Sequence, residues 1–243
     1  MKVIAVFSAK GGVGKTALAV NLAHAAATAG GRRTLLWDLD PQGAAGYILR
    51  CAPRSGRKAR AAISGDAPLG DLVLDTGYDN LDLLPADRSL RRLEGDFAQS
   101  DKLKQLRKLV KGFEGRYDRL ILDCPPGLSG LADRIFRAAD LIVQPVVPAP
   151  LSERAVEQLR IELLRSHDGR PPVLPVWSMV DARRKLHREA VQVHPGWPAI
   201  PYAAAVEAMS VHQRPIAALH PGISAARAFA GLWARVEAAL AGA

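Results

Sequence analysis

The sequence predicts one α/β domain across residues 1–243: a mostly parallel, twisted sheet with helices on both faces. Three observations carry this. Apolar runs of strand length recur along the chain and alternate with longer helical stretches, the order that lays crossover helices over a parallel sheet. The first such run passes directly into a glycine-rich segment and then a helix. Two later runs end in aspartates. No internal repeat or low-complexity tail interrupts the pattern.

The elements follow in order. Lys2-Val3-Ile4-Ala5-Val6-Phe7 is β-branched and short enough for a buried strand, and Ala17 to Ala29, rich in Ala and Leu, has helix length. Arg33 to Trp37 reads as the second strand and runs into Asp38-Leu39-Asp40-Pro41-Gln42-Gly43. Arg50 to Arg60 is basic and irregular, broken by Pro53, Ser55 and Gly56, and reads as a surface loop or short helix. Leu81 to Pro85 is a brief strand. Ser89 to Lys111 is charged and helical, with Leu93, Leu103, Leu106, Leu109 and Val110 as its apolar face. Tyr117 to Leu122 is a strand ending at Asp123-Cys124-Pro125-Pro126-Gly127, and Leu141 to Val147 is another. A helix over Ser152–Arg165, a strand over Val173–Val180, a basic helix over Ala182–Val193, a short edge element at Pro198–Pro201 and a helix over Ser224–Leu240 complete the chain.

A chain of 243 residues, 49% hydrophobic and 23% charged, has the composition of a globule with a core large enough to need no staples. No apolar run approaches the ~18 residues of a membrane span. The N-terminus enters the first strand at once, so neither a signal peptide nor a separate N-terminal helix-turn-helix domain is expected. Cys51 and Cys124 are far apart and the six histidines are scattered, which argues against a metal or cluster site and fits a reducing cytoplasm. Lys and Arg outnumber Asp and Glu by 33 to 24, a net charge of +9 that favours an anionic partner such as nucleic acid over a neutral one. A merely solvated basic surface is the alternative.

The segment Ser8-Ala9-Lys10-Gly11-Gly12-Val13-Gly14-Lys15-Thr16 sits between the first strand and the first helix, the context in which Gly-Lys-Thr binds phosphate. Backbone N–H groups of Gly11, Gly12, Val13 and Gly14, with Ala17 just inside the helix, would close on phosphate oxygens. Lys15 would reach the β- and γ-phosphates of a nucleotide and Thr16 would ligate Mg2+. Asp123 has the layout of the carboxylate that holds that magnesium, with a capping role before Pro125-Pro126 as the alternative. Asp38 and Asp40 close the second strand on the same edge and alternate around Leu39, so both can address the metal waters and the attacking water, with a simple Asx turn at Asp40-Pro41 as the alternative. Lys10 has no role in an ordinary phosphate loop.

That extra lysine makes Lys-Gly-Gly-Val-Gly-Lys-Thr resemble the deviant Walker A loop of the ParA/MinD family of P-loop ATPases, although Ala9 stands where the general P-loop pattern has its first glycine. The resemblance implies a P-loop NTPase fold, ATP and Mg2+ as cofactors, and a nucleotide-sandwich homodimer in which Lys10 reaches the partner's ATP. It makes Lys10, Lys15 and Asp40 the catalytic set, Asp40 positioning the lytic water and Asp38 lying near the metal with Thr16 and Asp123. It also implies slow, partner-stimulated hydrolysis. Met179 to Leu186 and Ile200-Pro201-Tyr202 resemble the segments flanking the adenine, which makes Met179, Pro201 and Tyr202 base-pocket candidates. Motif similarity spans nearly the whole chain and is strongest on the phosphate side.

Arg183, Arg184, Lys185 and Arg188 put four cations in six residues, with Arg154, Arg160, Arg165 and Arg170 preceding them. By the resemblance these are where ParA dimers hold double-stranded DNA non-specifically; a solvated helix face and the Arg54–Arg60 loop are the alternatives. The implied role is partition of a chromosome, plasmid or other cargo, driven by a ParB-like or other adaptor, in the cytoplasm and on the nucleoid. Rival readings are a MinD-like membrane-associated ATPase, a small-molecule synthase of the dethiobiotin synthetase or cobyrinic acid amide synthase type, and a module that uses ATP only as structural glue. The MinD-like reading needs a basic amphipathic C-terminal helix, but Phe229, Leu232, Trp233, Val236 and Leu240 read better as a face packed on the sheet, so no stable membrane association is expected.

Overall fold

A computed structural model of the chain describes residues 1–52, 69–86, 105–127 and 130–242. Eight strands form one sheet: β1 (Lys2–Val6), β2 (Thr34–Asp38), β3 (Leu74–Tyr78), β4 (Leu81–Leu84), β5 (Arg119–Asp123), β6 (Leu141–Val146), β7 (Val173–Val180) and β8 (Ala199–Pro201). Their order is β3-β4-β2-β5-β1-β6-β7-β8, and every neighbouring pair is parallel except β3 with β4. The helices are α1 (Lys15–Thr28), α2 (Ala44–Ile48), α3 (Gln105–Lys111), α4 (Gly130–Ala138), α5 (Pro150–His167), α6 (Lys185–Val193), three single turns α7 (Ala204–Glu207), α8 (Met209–His212) and α9 (Ile216–Leu219), and α10 (Ser224–Ala241). A 3-10 turn covers Leu69–Leu72.

The period-2 geometry of a strand explains the two-layered core. Ile4, Val6, Leu36, Ile121 and Val143 point to one face, where Leu18, Leu22, Phe229, Leu232 and Val236 of α1 and α10 cover them. Val3, Ala5, Phe7, Leu35, Trp37, Leu120 and Leu122 point to the other, against Val110, Ile135, Phe136, Leu159 and Leu163 of α3, α4 and α5. Since both faces are covered, the central strands read as unbroken apolar runs, the pattern expected of a buried parallel sheet. Alanine lets α1 lie close to α10, and Gly30 just past its end is needed: a Cβ there would come within 2.5 Å of Trp233 Nε1 and 2.6 Å of the Ala26 carbonyl.

Several sequence boundaries move. The first helix starts at Lys15 rather than Ala17, and α5 starts at Pro150, where proline's missing N–H costs nothing. Ala182 to Arg184 form a turn, and α6 begins at Lys185. The expected helix over Ser89–Lys111 lies outside the described residues except for Gln105–Lys111, and so does the whole Arg54–Arg60 loop. β3 and α4 were not expected. Register fixes what matters for a site: Val6 pairs with Asp123, and Asp123 with Asp38, so three strand ends finish level at one edge.

Candidate functional site

Ser8 to Gly14 connect β1 to α1 above that edge, where β1 lies between β5 and β6 and parallel sheets open a crevice. Gly12 (φ 71°) and Gly14 (φ 85°) both take left-handed backbone conformations. At Gly12 an added Cβ would meet no neighbour within 4 Å, so the requirement is conformational; at Gly14 it would also press within 3.2 Å of Met179 Cε and Ser178 Oγ. Gly14 starts α1 without any side-chain cap, leaving the first helical N–H groups to an anion. Lys15 is buried and curls inward, its Nζ donating to the Lys10 carbonyl at 3.1 Å. Burial depresses its pKa, while Asp123, Asp40 and Cys124 act in the opposite sense. Lys10 points elsewhere. It is exposed, and its Nζ donates to Ser152 Oγ on the first turn of α5 at 3.3 Å.

The three carboxylates have different environments. Asp38 is buried and accepts from the Asp40 N–H (3.0 Å) and the Ala45 N–H (3.1 Å), which ties down the loop between β2 and α2. Burial pushes its pKa up to about 7 against those backbone bonds. Half-buried Asp40 sits on that loop and accepts from the Gln42 N–H at 2.9 Å. Asp123 is fully buried and neither oxygen has a well-formed hydrogen bond. Burial, then the neighbouring Asp38, drive its pKa well above the carboxylate range, while the Thr16 hydroxyl and Lys15 favour the charged form.

A buried carboxylate with unsatisfied oxygens beside a hydroxyl is a donor set suited to a hard divalent cation. Thr16 and Asp123 could therefore hold magnesium, the latter directly or through water. Asp38 has committed a lone pair of each oxygen to the backbone, so its share would go through what remains. Among the described residues no group of three or more His, Cys, Asp or Glu side chains could hold a metal alone.

Next to the loop, Met179, Pro201 and Tyr202 come together in one largely apolar cleft with Gly14, Ala17, Ser178, Val206 and Phe229. Ser178 Oγ donates to the Val13 carbonyl at 2.9 Å, fastening the loop to β7. Met179 adopts φ 58°, and the Tyr202 N–H donates to the Val180 carbonyl at 2.9 Å. Ser178 and Phe229 escape sequence reasoning. A lone serine in a strand carries no signal, and Phe229 looks like any core residue of α10.

The four cations are all exposed, but three have partners. Arg183 forks onto Asp181 with both contacts at 2.9 Å, Lys185 lies 3.6 Å from Glu189, and Arg188 donates to the Ala182 and Arg183 carbonyls. Arg184 caps α6 without an ion pair among the described residues. On α10, Phe229, Leu232, Trp233, Val236 and Leu240 are buried against the sheet, as the sequence predicts.

A family profile described as an AAA domain matches residues 1–168. Over 201 residues the chain is 32% identical to the chromosome partitioning protein ParA of Caulobacter vibrioides, covering 79% of this chain and 74% of that one. The chain belongs to the ParA/MinD family of P-loop ATPases. Two solved structures share the fold. The cell division ATPase MinD of Pyrococcus furiosus superposes with a TM-score of 0.80 at 23% identity, over 97% of this chain and 98% of its own. A cobyrinic acid a,c-diamide synthase of Mycobacterium smegmatis with bound ADP and magnesium superposes at 0.74 and 26% identity, over 88% of this chain and 92% of its own. In this ParA/MinD chain the eight-stranded sheet and loop thus have the P-loop NTPase arrangement. No helix among the described residues is long and apolar enough to cross a membrane.

Proposed function

We propose that this partition or positioning ATPase of the ParA/MinD type is a dimeric switch: ATP closes a homodimer, the dimer holds duplex DNA without sequence preference, and an adaptor on the cargo triggers hydrolysis and release. One observation carries the reading. The two lysines of the loop are used in opposite ways: Lys15 is folded into its own site, whereas the Lys10 side chain stands exposed, its Nζ held by Ser152 Oγ alone among the described residues. A lysine so placed is available to a second copy's phosphates.

Within one site, Gly11 to Thr16 and Ala17 would bind the phosphates, and Met179, Pro201 and Tyr202 would flank the base. Thr16 and Asp123 would hold Mg2+, with Asp38 nearby. Magnesium, when bound, supplies charge neutralisation across the β- and γ-phosphates. Asp40 would hold water in line with the γ-phosphate, because it is the one carboxylate of the three that is only half-buried and lies on a loop. Arg184, with Arg183, Lys185 and Arg188 around it, would touch DNA phosphates; dimerisation doubles the patch, so binding through this patch follows ATP. The expected address is the nucleoid, and the cargo adaptor a ParB-like protein or its functional equivalent.

Size-exclusion chromatography with a slowly hydrolysed ATP analogue tests the switch. Lys10→Ala should still bind nucleotide but elute as a monomer while the wild type dimerises. A Lys10→Ala dimer of normal stability would refute the cross-subunit role. The synthase likeness supports a second reading, a small-molecule enzyme on this fold. Turnover that appears only with a metabolite and never with DNA or an adaptor would favour it.

A further inference from the structure

Strong positive charge also gathers far from the phosphate loop. Arg107, Lys108, Lys111, Arg137 and Arg170 line one open cleft with His167, Asp168, Phe136 and Pro171. These residues lie in the connections that enter β5, β6 and β7 at their N-terminal ends. In a parallel sheet that is the rim opposite the one carrying Gly12, Asp38 and Asp123. Arg137 pairs with Asp133 at 3.0 Å, and His167 Nε2 lies at the same distance from that carboxylate. Arg107, Lys108, Lys111 and Arg170 are exposed and form no ion pair among the described residues.

The modest explanation is compensation of helix dipoles, since α3, α4 and α5 all end here. Each helix end carries only about half a negative charge, and Asp168 adds one, so four cations without an ion pair among the described residues exceed that need. The surroundings narrow the partner. The cleft residues belong to none of the sheet's edge strands, so it offers an extended acidic peptide no strand to pair with. Its two rings, Phe136 and His167, are packed edge-to-face on each other and both side chains are buried, so neither can stack on a base. What remains is a set of long, mobile cations suited to closely spaced phosphates, read without regard to sequence.

We infer that this cleft is a second contact surface for the phosphate backbone of duplex nucleic acid, independent of the nucleotide state. The inference rests on the reading of DNA as the anionic partner and adds to it a surface remote from Lys10 and the phosphate loop. Binding through α6 should require ATP, because it needs two copies; weaker binding through the cleft should persist without nucleotide, so hydrolysis frees the α6 contacts and leaves only a readily exchanged one.

Fluorescence anisotropy on a random-sequence duplex across a salt series, with and without the ATP analogue, separates the two surfaces. The combined variant Arg107→Gln, Lys111→Gln, Arg170→Gln should lose about tenfold in nucleotide-free affinity at moderate salt, and its log–log salt slope should shrink by up to about 2.7, roughly 0.9 per lost contact. Its melting temperature and ATP turnover should match wild type, which certifies folding. Arg184→Gln with Arg188→Gln should leave the nucleotide-free component intact. Wild-type affinity and slope in the cleft variant would overturn the inference while leaving the DNA reading standing. Wild type that binds no duplex in any nucleotide state would end the DNA reading and the cleft's role with it. Displacement of the duplex by polyglutamate as readily as by unlabelled duplex at equal charge would reassign the cleft to an acidic protein and equally overturn the proposal.

Discussion

Asp123→Asn should stabilise the nucleotide-free protein while removing the stabilisation that magnesium nucleotide confers. Both oxygens of Asp123 are buried without a well-formed hydrogen bond, and burial with Asp38 nearby holds its pKa well above the carboxylate range even with Lys15 and Thr16 opposing. An unsatisfied buried polar group costs about 1–3 kcal/mol, and more when charged. A neutral amide of the same shape still buries unpaired polar atoms, so it should recover only the part tied to charge, with a rise of roughly 2–4 °C in Tm per kcal/mol for a chain of this size. A carboxyl whose folded pKa lies above its unfolded value binds its proton more tightly in the native state. Native stability is therefore greatest below the unfolded pKa and falls as pH rises towards the folded one, by at most about 1.4 kcal/mol per pH unit for one group. Asp38, pushed up to about 7, contributes a fall of the same sign between roughly pH 4 and 7, so the variant should flatten the profile without levelling it. With ligand at 100 times its Kd the wild type should gain about 2.7 kcal/mol, and the variant far less. Thermal melts from pH 5 to 8, with and without magnesium and the ATP analogue, measure all of this. A nucleotide-free Asp123→Asn that melts below wild type at pH 7.5 would refute the picture of an uncompensated carboxylate awaiting a cation.

Other outcomes follow from single contacts. Asp40→Ala should bind ATP and persist as a dimer with turnover reduced by roughly 10²-fold or more, the scale of a lost water-positioning group; normal kcat with saturating magnesium would move that role to Asp38. Ser178→Ala should cost about 1 kcal/mol by unpairing the buried Val13 carbonyl and should weaken nucleotide binding, read by calorimetry; unchanged affinity would mean that the tether does not shape the loop. Gly30→Ala should destabilise by about 1–3 kcal/mol, because Trp233 and the Ala26 carbonyl leave no room for a methyl group, and a melt within 1 °C of wild type, about the shift of a few tenths of a kcal/mol, would show that α10 can step aside.

Much of this molecule is written locally. The run from Lys2 to Thr16 contains its strand, its glycines and its lysines within one stretch, and Leu120-Ile121-Leu122-Asp123 announces a buried strand that ends in a carboxylate. β3 was missed because Asp75 and Gly77 interrupt a one-sided edge strand that pairs antiparallel only through its hairpin with β4. α4 hides in nine residues, although Leu131, Ile135 and Phe136 already form an apolar stripe. The division of labour among the aspartates was also out of reach. Alternation puts Asp38 and Asp40 on one side, but only the folded loop reveals that the Ala45 N–H, seven residues on, engages Asp38. The base cleft collects residues from α1, β7, β8 with the segment after it, and α10, so no window of sequence contains it.

Strand β7 joins two places of interest. It leaves the cationic rim just beyond Arg170 and Pro171, and eight residues later delivers Ser178 and Met179 to the phosphate loop. At about 3.3 Å per residue it is a strut of roughly 25 Å, paired with β6 from Val173 to Trp177 and with β8 at Trp177 and Val180. One continuous strand thus sets the offset between the lower rim and the phosphate loop, as a shin sets the distance from sole to knee.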